Sequence, residues 1–309
     1  MTPENLRKSF SFIGPMYVGK SLISEEFGNK TNLPLINIDN LRSIIDSERN
    51  GQLSKNPKTQ KKFLKHYVNE IMDNFVSFNQ TNSTSETLKY KEQATKTVQS
   101  YIDLYQYYLD FFGMRSLDEF YPYIDSYNES LLLSKNAQER ILYGNAFVCN
   151  IINTILNKID TPVIFDFPGY FGCINEDNIN DTIKRNLENS IFNITFEELK
   201  QNIDNILQST QTILLDPGQD YSFRNASDKH SSNSILVNNL ESYTNNAKLE
   251  ISTNGLFFEP NNECFRKKRN FFDIETINTK TKLKNKAEIL SICDQIISEI
   301  SQLEESKEM

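Results

Sequence analysis

The strongest constraint on this chain is an eight-residue pattern near its beginning. Residues 14–21 read Gly-Pro-Met-Tyr-Val-Gly-Lys-Ser and match G-x-x-x-x-G-K-[ST] in full. Residues 9–13 before the pattern alternate polar and apolar side chains as a strand does, and residues 22–27 after it are amphipathic. Strand, loop and helix form the context that this pattern requires. We expect the helix to stop at Gly28.

The residue types in the pattern suit a phosphate ligand. Glycines let the backbone wrap around a phosphate, whose charge then meets exposed N–H groups and the positive end of the following helix. In such a loop Lys20 reaches the β- and γ-phosphates, and Ser21 holds Mg²⁺ through its hydroxyl. The chain has only 10 glycines, so a chance match is expected on the order of one per cent or less. The predicted nucleotide contacts are Gly14, Met16, Tyr17, Val18, Gly19, Lys20, Ser21 and Leu22.

The rest of the chain alternates short apolar runs with helical patterns, which predicts an α/β fold with a parallel sheet. Strands are expected at residues 33–39, 161–166, 211–216 and 270–277, and a final helix at 287–303. Residues 56–159 contain no strand pattern and read as helices at 59–78, 86–112, 116–133 and 137–159. We therefore predict an α/β core from residues 1–50 and 151–309, and an all-helical insertion at 51–150.

Composition excludes several classes of protein. The chain has 33 basic and 41 acidic side chains, and this net acidity disfavours a general nucleic-acid binder. No apolar run approaches the length of a membrane span, and no uninterrupted apolar segment follows the first residues as a signal peptide would require. The four cysteines are scattered without a C-x-x-C pair, so neither a zinc site nor a disulfide framework is expected. These features predict a cytoplasmic protein without membrane or nucleic-acid partners.

The pattern at residues 14–21, the predicted strand that ends at Asp39, and the closing strand, loop and helix together resemble shikimate kinase and related P-loop small-molecule kinases. The resemblance covers residues 8–45 well and 160–303 loosely. It implies a three-layer, P-loop kinase-like fold around a parallel sheet. It also implies an enzyme that uses ATP and Mg²⁺ to phosphorylate a hydroxyl of a small acceptor. Asp39 lies 19 residues after Lys20 and matches the aspartate that contacts the acceptor in this family. Arg42, one turn further on, is placed to bind an anionic group of the acceptor.

The chain departs from the family pattern at two places. The family has a second aspartate two residues before the acceptor aspartate, where this chain has Asn37. The family's glycine triplet after the third strand is replaced by Asp-Phe-Pro-Gly-Tyr-Phe-Gly at residues 166–172. Asp166 suits completion of the Mg²⁺ shell opposite Ser21; its alternative role is to cap the next turn. Gly169 is expected on the acceptor side, and the departures argue against shikimate itself as the acceptor.

A lid over the phosphates should carry cationic groups that neutralise charge on the transferred phosphoryl group. Arg224 follows the fourth predicted strand at a suitable position, and the basic run at residues 266–269 is the competing candidate unless it is a solvated turn. The predicted catalytic residues are thus Lys20, Asp39 and Arg224.

The helical insertion falls where the related kinases build their acceptor site. Its tyrosines either stack on a sugar or base, or cover a helical core, which their spacing favours. The residues concerned are Tyr101, Tyr105, Tyr107, Tyr108, Tyr121, Tyr123 and Tyr127. Two further hypotheses stay open. One is a kinase for a nucleotide, nucleotide-sugar or antibiotic, with zeta-toxin-like chemistry, and the other is a non-catalytic nucleotide-dependent binding protein whose insertion contacts a protein partner.

Overall fold

A computed structural model describes part of the chain. The described residues are 8–13, 20–79, 84–134, 137–168, 171–172, 179–214, 272–273, 290–298 and 300–301. The predictions for residues 14–19, Gly169, Arg224 and the basic run at 266–269 therefore lie outside the described residues.

The described chain is mostly helical with a small parallel sheet, which is an α/β arrangement. The strands are β1 (Phe10–Ile13), β2 (Leu35–Asn37), β3 (Ile164–Asp166), β4 (Gln211–Leu214) and β5 (Phe272–Asp273). The helices are α1 (Lys20–Thr31), α2 (Ile38–Arg49), α3 (Pro57–Asn79), α4 (Thr84–Phe111), α5 (Tyr121–Leu133), α6 (Ala137–Leu156), α7 (Asp181–Glu188) and α8 (Phe196–Ser209). A 3-10 turn at Asp118–Phe120 precedes α5, and residues 290–298 and 300–301 are helical.

The sheet has the order β2-β3-β1-β4-β5, and its strands pair in parallel. Strands β1 and β3 consist largely of buried apolar residues, as expected of parallel strands covered on both faces, and Ile213 of β4 is fully buried. On one face, α1 and the C-terminal helical segment bury a shared apolar cluster. Its members are Phe10, Phe12, Ile23, Phe27, Ile164, Ile213, Ile292, Cys293, Ile296 and Ile300. A core of this kind fixes the position of α1 relative to β1 and β3.

Two local predictions are wrong at the ends of elements. Helix α1 continues past Gly28 to Thr31, and Asn32 follows it with a φ of 55°. Asn32 therefore takes the left-handed position that ends many helices, while Gly28 lies buried in the helix against the Leu33 carbonyl. The second predicted strand is also shorter than expected, because α2 begins at Ile38 and places Asp39 in its first turn. An acidic side chain is favourable at that end of a helix.

The chain divides into two compact units whose described boundaries fall at residues 39/40 and 125/126. The sheet unit contains residues 8–39 and the described residues from 126 onward, and the helical unit contains residues 40–125. The helical unit lies within residues 40–125, and the insertion was predicted at 51–150. Helix α6 belongs to the sheet unit because it packs on α7 and α8.

The helical unit has a buried carboxylate at its centre. Glu48 of α2 accepts hydrogen bonds from the Tyr105 hydroxyl at 2.6 Å and from the Leu117 backbone N–H at 2.7 Å. Tyr105 and Tyr108 are fully buried, as a helical core requires of tyrosines with this spacing. Burial, and then the Glu48 charge, raise the pKa of Tyr121 to about 12. This cluster ties α2 to α4 and to the turn before α5.

Within the part of the chain that the structure describes, no helix combines the length and the apolar character needed to cross a membrane.

Candidate functional site

The sheet topology marks one edge as the place for a ligand. The connection from β1 to β2 passes β3, and the connection from β3 to β4 passes β1 in the opposite direction along the sheet. Neighbouring strands whose connections run in opposite directions mark the point where the strand order reverses, and ligands of open α/β sheets bind in the crevice at the carboxyl ends of such strands. Ile13 ends β1 and Asp166 ends β3 at this point.

Asp166 is the central side chain of the site. It is 2% exposed, and it lies in register with Phe12 of β1 and Asn37 of β2. The Asn37 amide Nδ2 donates a hydrogen bond to Asp166 Oδ2 at 2.6 Å. The Ser21 side chain is also hydrogen-bonded to Asp166. A nearly buried carboxylate thus has partners on both sides.

The electrostatics of Asp166 show which charges surround it. Burial raises the pKa of Asp166 above its ordinary value, and the negative charge of Asp39 acts in the same direction. The charge of Lys20 and the hydrogen bonds from Ser21 and Asn37 oppose this shift. The structure therefore brings together Lys20, Ser21, Asp39 and Asp166, four residues that the sequence singled out at three separate places.

Lys20 and Ser21 are the first two residues of α1. The Lys20 residue is 8% exposed, and a lysine ammonium is seldom buried to this extent without a charged partner. The Asp166 carboxylate supplies a negative charge near it. The first turn of a helix also presents N–H groups that favour an anion. The Lys20 ammonium and the backbone N–H groups thus make the first turn of α1 favourable for an anion.

The other predicted site residues in the described chain occupy less buried positions. Asp39 is exposed in the first turn of α2, and Arg42 follows one turn later and is half-buried. Leu22, the third residue of α1, is 53% exposed. Gly14, Met16, Tyr17, Val18, Gly19, Gly169 and Arg224 remain outside the described residues.

The segment after Asp166 is held by contacts that the sequence did not predict. The Phe167 N–H donates to the Phe12 carbonyl at 3.1 Å, and the Phe167 and Phe171 rings stack with their centroids 4.2 Å apart. The Gly172 N–H donates to Asn145 Oδ1 at 2.8 Å. Asn145 is fully buried within α6. Its only sequence signal is a single amide side chain in an otherwise apolar stretch of that helix.

The oxygen donors fit a magnesium ion that arrives with phosphate. Asp166 offers a carboxylate and Ser21 a hydroxyl, and both are oxygen ligands of the kind that Mg²⁺ prefers. Among the described residues, no group of three or more His, Cys, Asp or Glu side chains could hold a metal ion. Mg²⁺ typically takes one or two protein ligands and fills its shell with water and phosphate oxygens. Asp166 and Ser21 together offer two oxygen ligands, the number that Mg²⁺ typically takes from a protein.

A comparison of the chain with protein family models, with curated proteins and with solved structures finds no match.

Proposed function

We propose that this chain is an ATP- and Mg²⁺-dependent phosphotransferase that moves the γ-phosphate of ATP to a hydroxyl of a small-molecule acceptor. The proposal includes a three-layer core of the P-loop small-molecule kinase type, similar to shikimate kinase, and a cytoplasmic location. The observation that carries it is the burial of Asp166 against Ser21 and beside Lys20, at the carboxyl ends of adjacent strands.

That arrangement is costly for a protein that does not use it. A buried carboxylate with a raised pKa costs free energy in the folded state, and such groups in clefts are often functional. Here the carboxylate stands next to the lysine and serine that close a complete phosphate-loop pattern. A cation bound between carboxylate and phosphates would compensate the buried charge.

Each residue has a distinct role in this proposal. Ser21 and Asp166 would hold Mg²⁺, which neutralises charge on the nucleotide phosphates when it is bound. Lys20 stabilises the negative charge that develops on the transferred phosphoryl group. Asp39 orients the acceptor hydroxyl and accepts its proton, since its exposed carboxylate leaves room for a substrate. Arg42 and Gly169 are proposed to contact the acceptor, and Arg224 to cover the phosphates.

Nucleotide binding is tested with Lys20→Ala. Loss of a charged hydrogen-bond donor costs roughly 1.5–3 kcal/mol, so we expect affinity for MgATP to fall about 10- to 100-fold. The control is Lys62→Ala, because Lys62 is an exposed lysine of α3 in the helical unit. Calorimetric titration of the wild type and both variants with MgATP measures the three affinities. Equal affinity of Lys20→Ala and wild type would refute the site.

Catalysis is tested with Asp39→Ala in an ATP-consumption assay against a panel of hydroxylated metabolites and nucleotides. A kinase requires that this variant lose turnover while it still binds ATP, and Asp73→Ala, an exposed aspartate of α3, serves as the control. If the wild type binds ATP but phosphorylates nothing, and a nucleotide-dependent protein partner is captured equally by Asp39→Ala, the chain is a binding protein instead.

A further inference from the structure

We propose that Asn37 is a positioning residue that holds the Asp166 carboxylate in the orientation needed for a nucleotide-bound cation. The inference rests on the proposed function. It adds Asn37, a residue of β2 that lies outside the phosphate-loop pattern, to the residues that act on the cation. It concerns a neutral amide that donates to a nearly buried carboxylate.

The strand order places Asn37 and the phosphate-loop residues on opposite sides of Asp166. Strand β3 lies between β2 and β1 in the sheet, and Asn37 and Asp166 are the last residues of β2 and β3 and pair in register. Lys20 and Ser21 follow β1 on the other side. Oδ2 of Asp166 is engaged by the Asn37 amide. The carboxylate plane is thereby fixed from the β2 side, and the remaining lone pairs are left for the side of Ser21 and Lys20.

Charge explains why an amide suits this position. Asp166 is 2% exposed, and Asp39 already adds a second negative charge in its surroundings. A carboxylate at residue 37 would lie at hydrogen-bond distance from Asp166 and would repel it without a cation. An amide instead donates to the carboxylate and adds no charge. The cation site therefore has a single buried carboxylate, so we expect it to bind a divalent ion much more tightly with nucleotide than without.

Partners that orient a metal-binding carboxylate have measurable effects on the metal. Loss of such an outer partner typically costs about 10- to 100-fold in metal affinity. A purely structural hydrogen bond affects the stability of the protein without this selective effect. The two roles are separated by a comparison of metal-dependent and metal-free nucleotide binding.

The chain offers a matched control pair. Asn186 Nδ2 donates to Glu139 Oε1 at 2.7 Å, and Glu139 is 3% exposed. This is again an amide on a nearly buried carboxylate within the sheet unit. It joins α7 to α6, whereas Asn37 belongs to the strand next to Asp166. A general effect of losing an amide–carboxylate bond would appear in both pairs.

The experiment measures Mn²⁺ binding to the full chain by electron paramagnetic resonance, with the non-hydrolysable analogue β,γ-imido-ATP present. Asn37→Leu and Asn37→Ala both remove the donor, and Asn186→Leu and Asn186→Ala are the controls. We expect the Asn37 variants to lose about tenfold or more in Mn²⁺ affinity and to keep wild-type affinity for the analogue in the presence of EDTA. The Asn186 variants should keep both affinities.

The outcomes distinguish this inference from the proposed function. If the wild type binds neither the analogue nor its Mn²⁺ complex, the proposed function fails and the inference fails with it. If the wild type binds both and the Asn37 variants bind Mn²⁺ equally well, only the inference is overturned. It is also overturned if Asn37 and Asn186 variants lose Mn²⁺ affinity alike, or if neither Asn37 variant folds.

Discussion

At the scale of single residues, the buried carboxylate of Asp166 suits the candidate site but lowers the stability of the folded protein at neutral pH. Burial raises its pKa, so the folded protein keeps the proton of this carboxyl to a higher pH than the unfolded chain does. The contribution of Asp166 to the free energy of unfolding therefore falls as pH rises from the unfolded pKa through the folded pKa. We expect Asp166→Asn to stabilise the protein at neutral pH and to abolish the proposed binding of Mn²⁺ with nucleotide.

Thermal unfolding of Asp166→Asn and wild type at two pH values checks this prediction. At about pH 7 the variant should melt at the higher temperature. The difference should shrink toward about pH 4, near the ordinary pKa of an aspartate, where more of the wild-type carboxyl is protonated in both states. A variant that melts below the wild type at neutral pH would show that the Asp166 charge is already compensated in the free protein.

Glu48 is a second buried carboxylate, and it has a structural role in the helical unit. It accepts from the Tyr105 hydroxyl and the Leu117 N–H. Glu48→Ala removes both bonds and leaves buried donors unpaired, at a cost of about 1–3 kcal/mol for each unsatisfied group. We expect a loss of roughly 3 kcal/mol in the free energy of unfolding, measured by urea denaturation. Glu129→Ala, at an exposed position of α5, should change it little, and equal effects of the two variants would contradict the role of Glu48.

At the scale of elements, the packing of α1 on the sheet depends on Gly28. A Cβ at this position would lie 3.3 Å from the Leu33 carbonyl oxygen and 3.4 Å from Ile164 Cδ1. Alanine gains about 1 kcal/mol of helix propensity over glycine, which offsets the tight contact. Valine adds two methyl groups that have no room, and overpacking typically costs about 1–3 kcal/mol. We therefore expect Gly28→Ala to be close to neutral and Gly28→Val to lower stability clearly.

Thermal unfolding and MgATP titration of the two Gly28 variants measure this effect. Because α1 carries Lys20 and Ser21, displacement of the helix by Gly28→Val should also weaken nucleotide binding. A valine variant as stable as the alanine variant would show that α1 can move away from β3 without cost.

Helix α8 offers a prediction about capping. The Thr195 side chain accepts from the Glu198 N–H, and the Glu198 carboxylate accepts from the Thr195 N–H, so a complete capping box begins the helix. Removal of a threonine cap typically costs about 1 kcal/mol. Thr195→Ala should lower the unfolding free energy by that amount in urea denaturation. Thr97→Ala is the control, because Thr97 lies on the exposed surface inside α4. If Thr195→Ala leaves the free energy of unfolding unchanged, the cap does not contribute to stability.

Local patterns predicted the elements better than their ends. The strands at residues 10–13, 35–37 and 164–166 lie within the predicted runs, because alternation predicted the first strand and short apolar runs predicted the other two. The prediction that Gly28 ends α1 is wrong because a glycine packed closely inside a helix looks in sequence like a glycine that ends one. The strand predicted to end at Asp39 stops earlier, since an aspartate suits both a strand end and a helix start.

The sequence predicts those parts of the candidate site that lie at the carboxyl ends of the strands. Parallel strands bring their carboxyl ends to one edge, so the proximity of Asp166 to Lys20 and Ser21 follows from the α/β pattern. The hydrogen bond from Asn37 was missed because it depends on which strand neighbours β3 and in which register. Neither property is encoded in a short stretch of sequence. The contact between Asn145 and Gly172 was missed for the same reason.

At the scale of the whole molecule, the last described segment completes the core beneath the first helix. Ile292, Cys293, Ile296 and Ile300 pack into one cluster with residues of β1 and α1, and Asp294 forms an ion pair with Lys30 of α1. These contacts join residues more than 250 positions apart. The Cys293 thiol also donates a hydrogen bond to the Ile23 carbonyl, 270 positions away. The placement of Lys20 and Ser21 therefore depends on the far end of the chain.

A core substitution in the last segment should for this reason affect both stability and the site. Ile296 is 1% exposed, and truncation of a buried isoleucine to alanine typically costs about 2–5 kcal/mol. We expect Ile296→Ala to lower the melting temperature and, at a temperature where the variant is still folded, to weaken MgATP binding through loosened packing of α1. Ser291→Ala, on the exposed side of the same segment, should change neither. A variant that loses stability but binds MgATP as tightly as the wild type would show that β1 and β3 alone hold α1 in place.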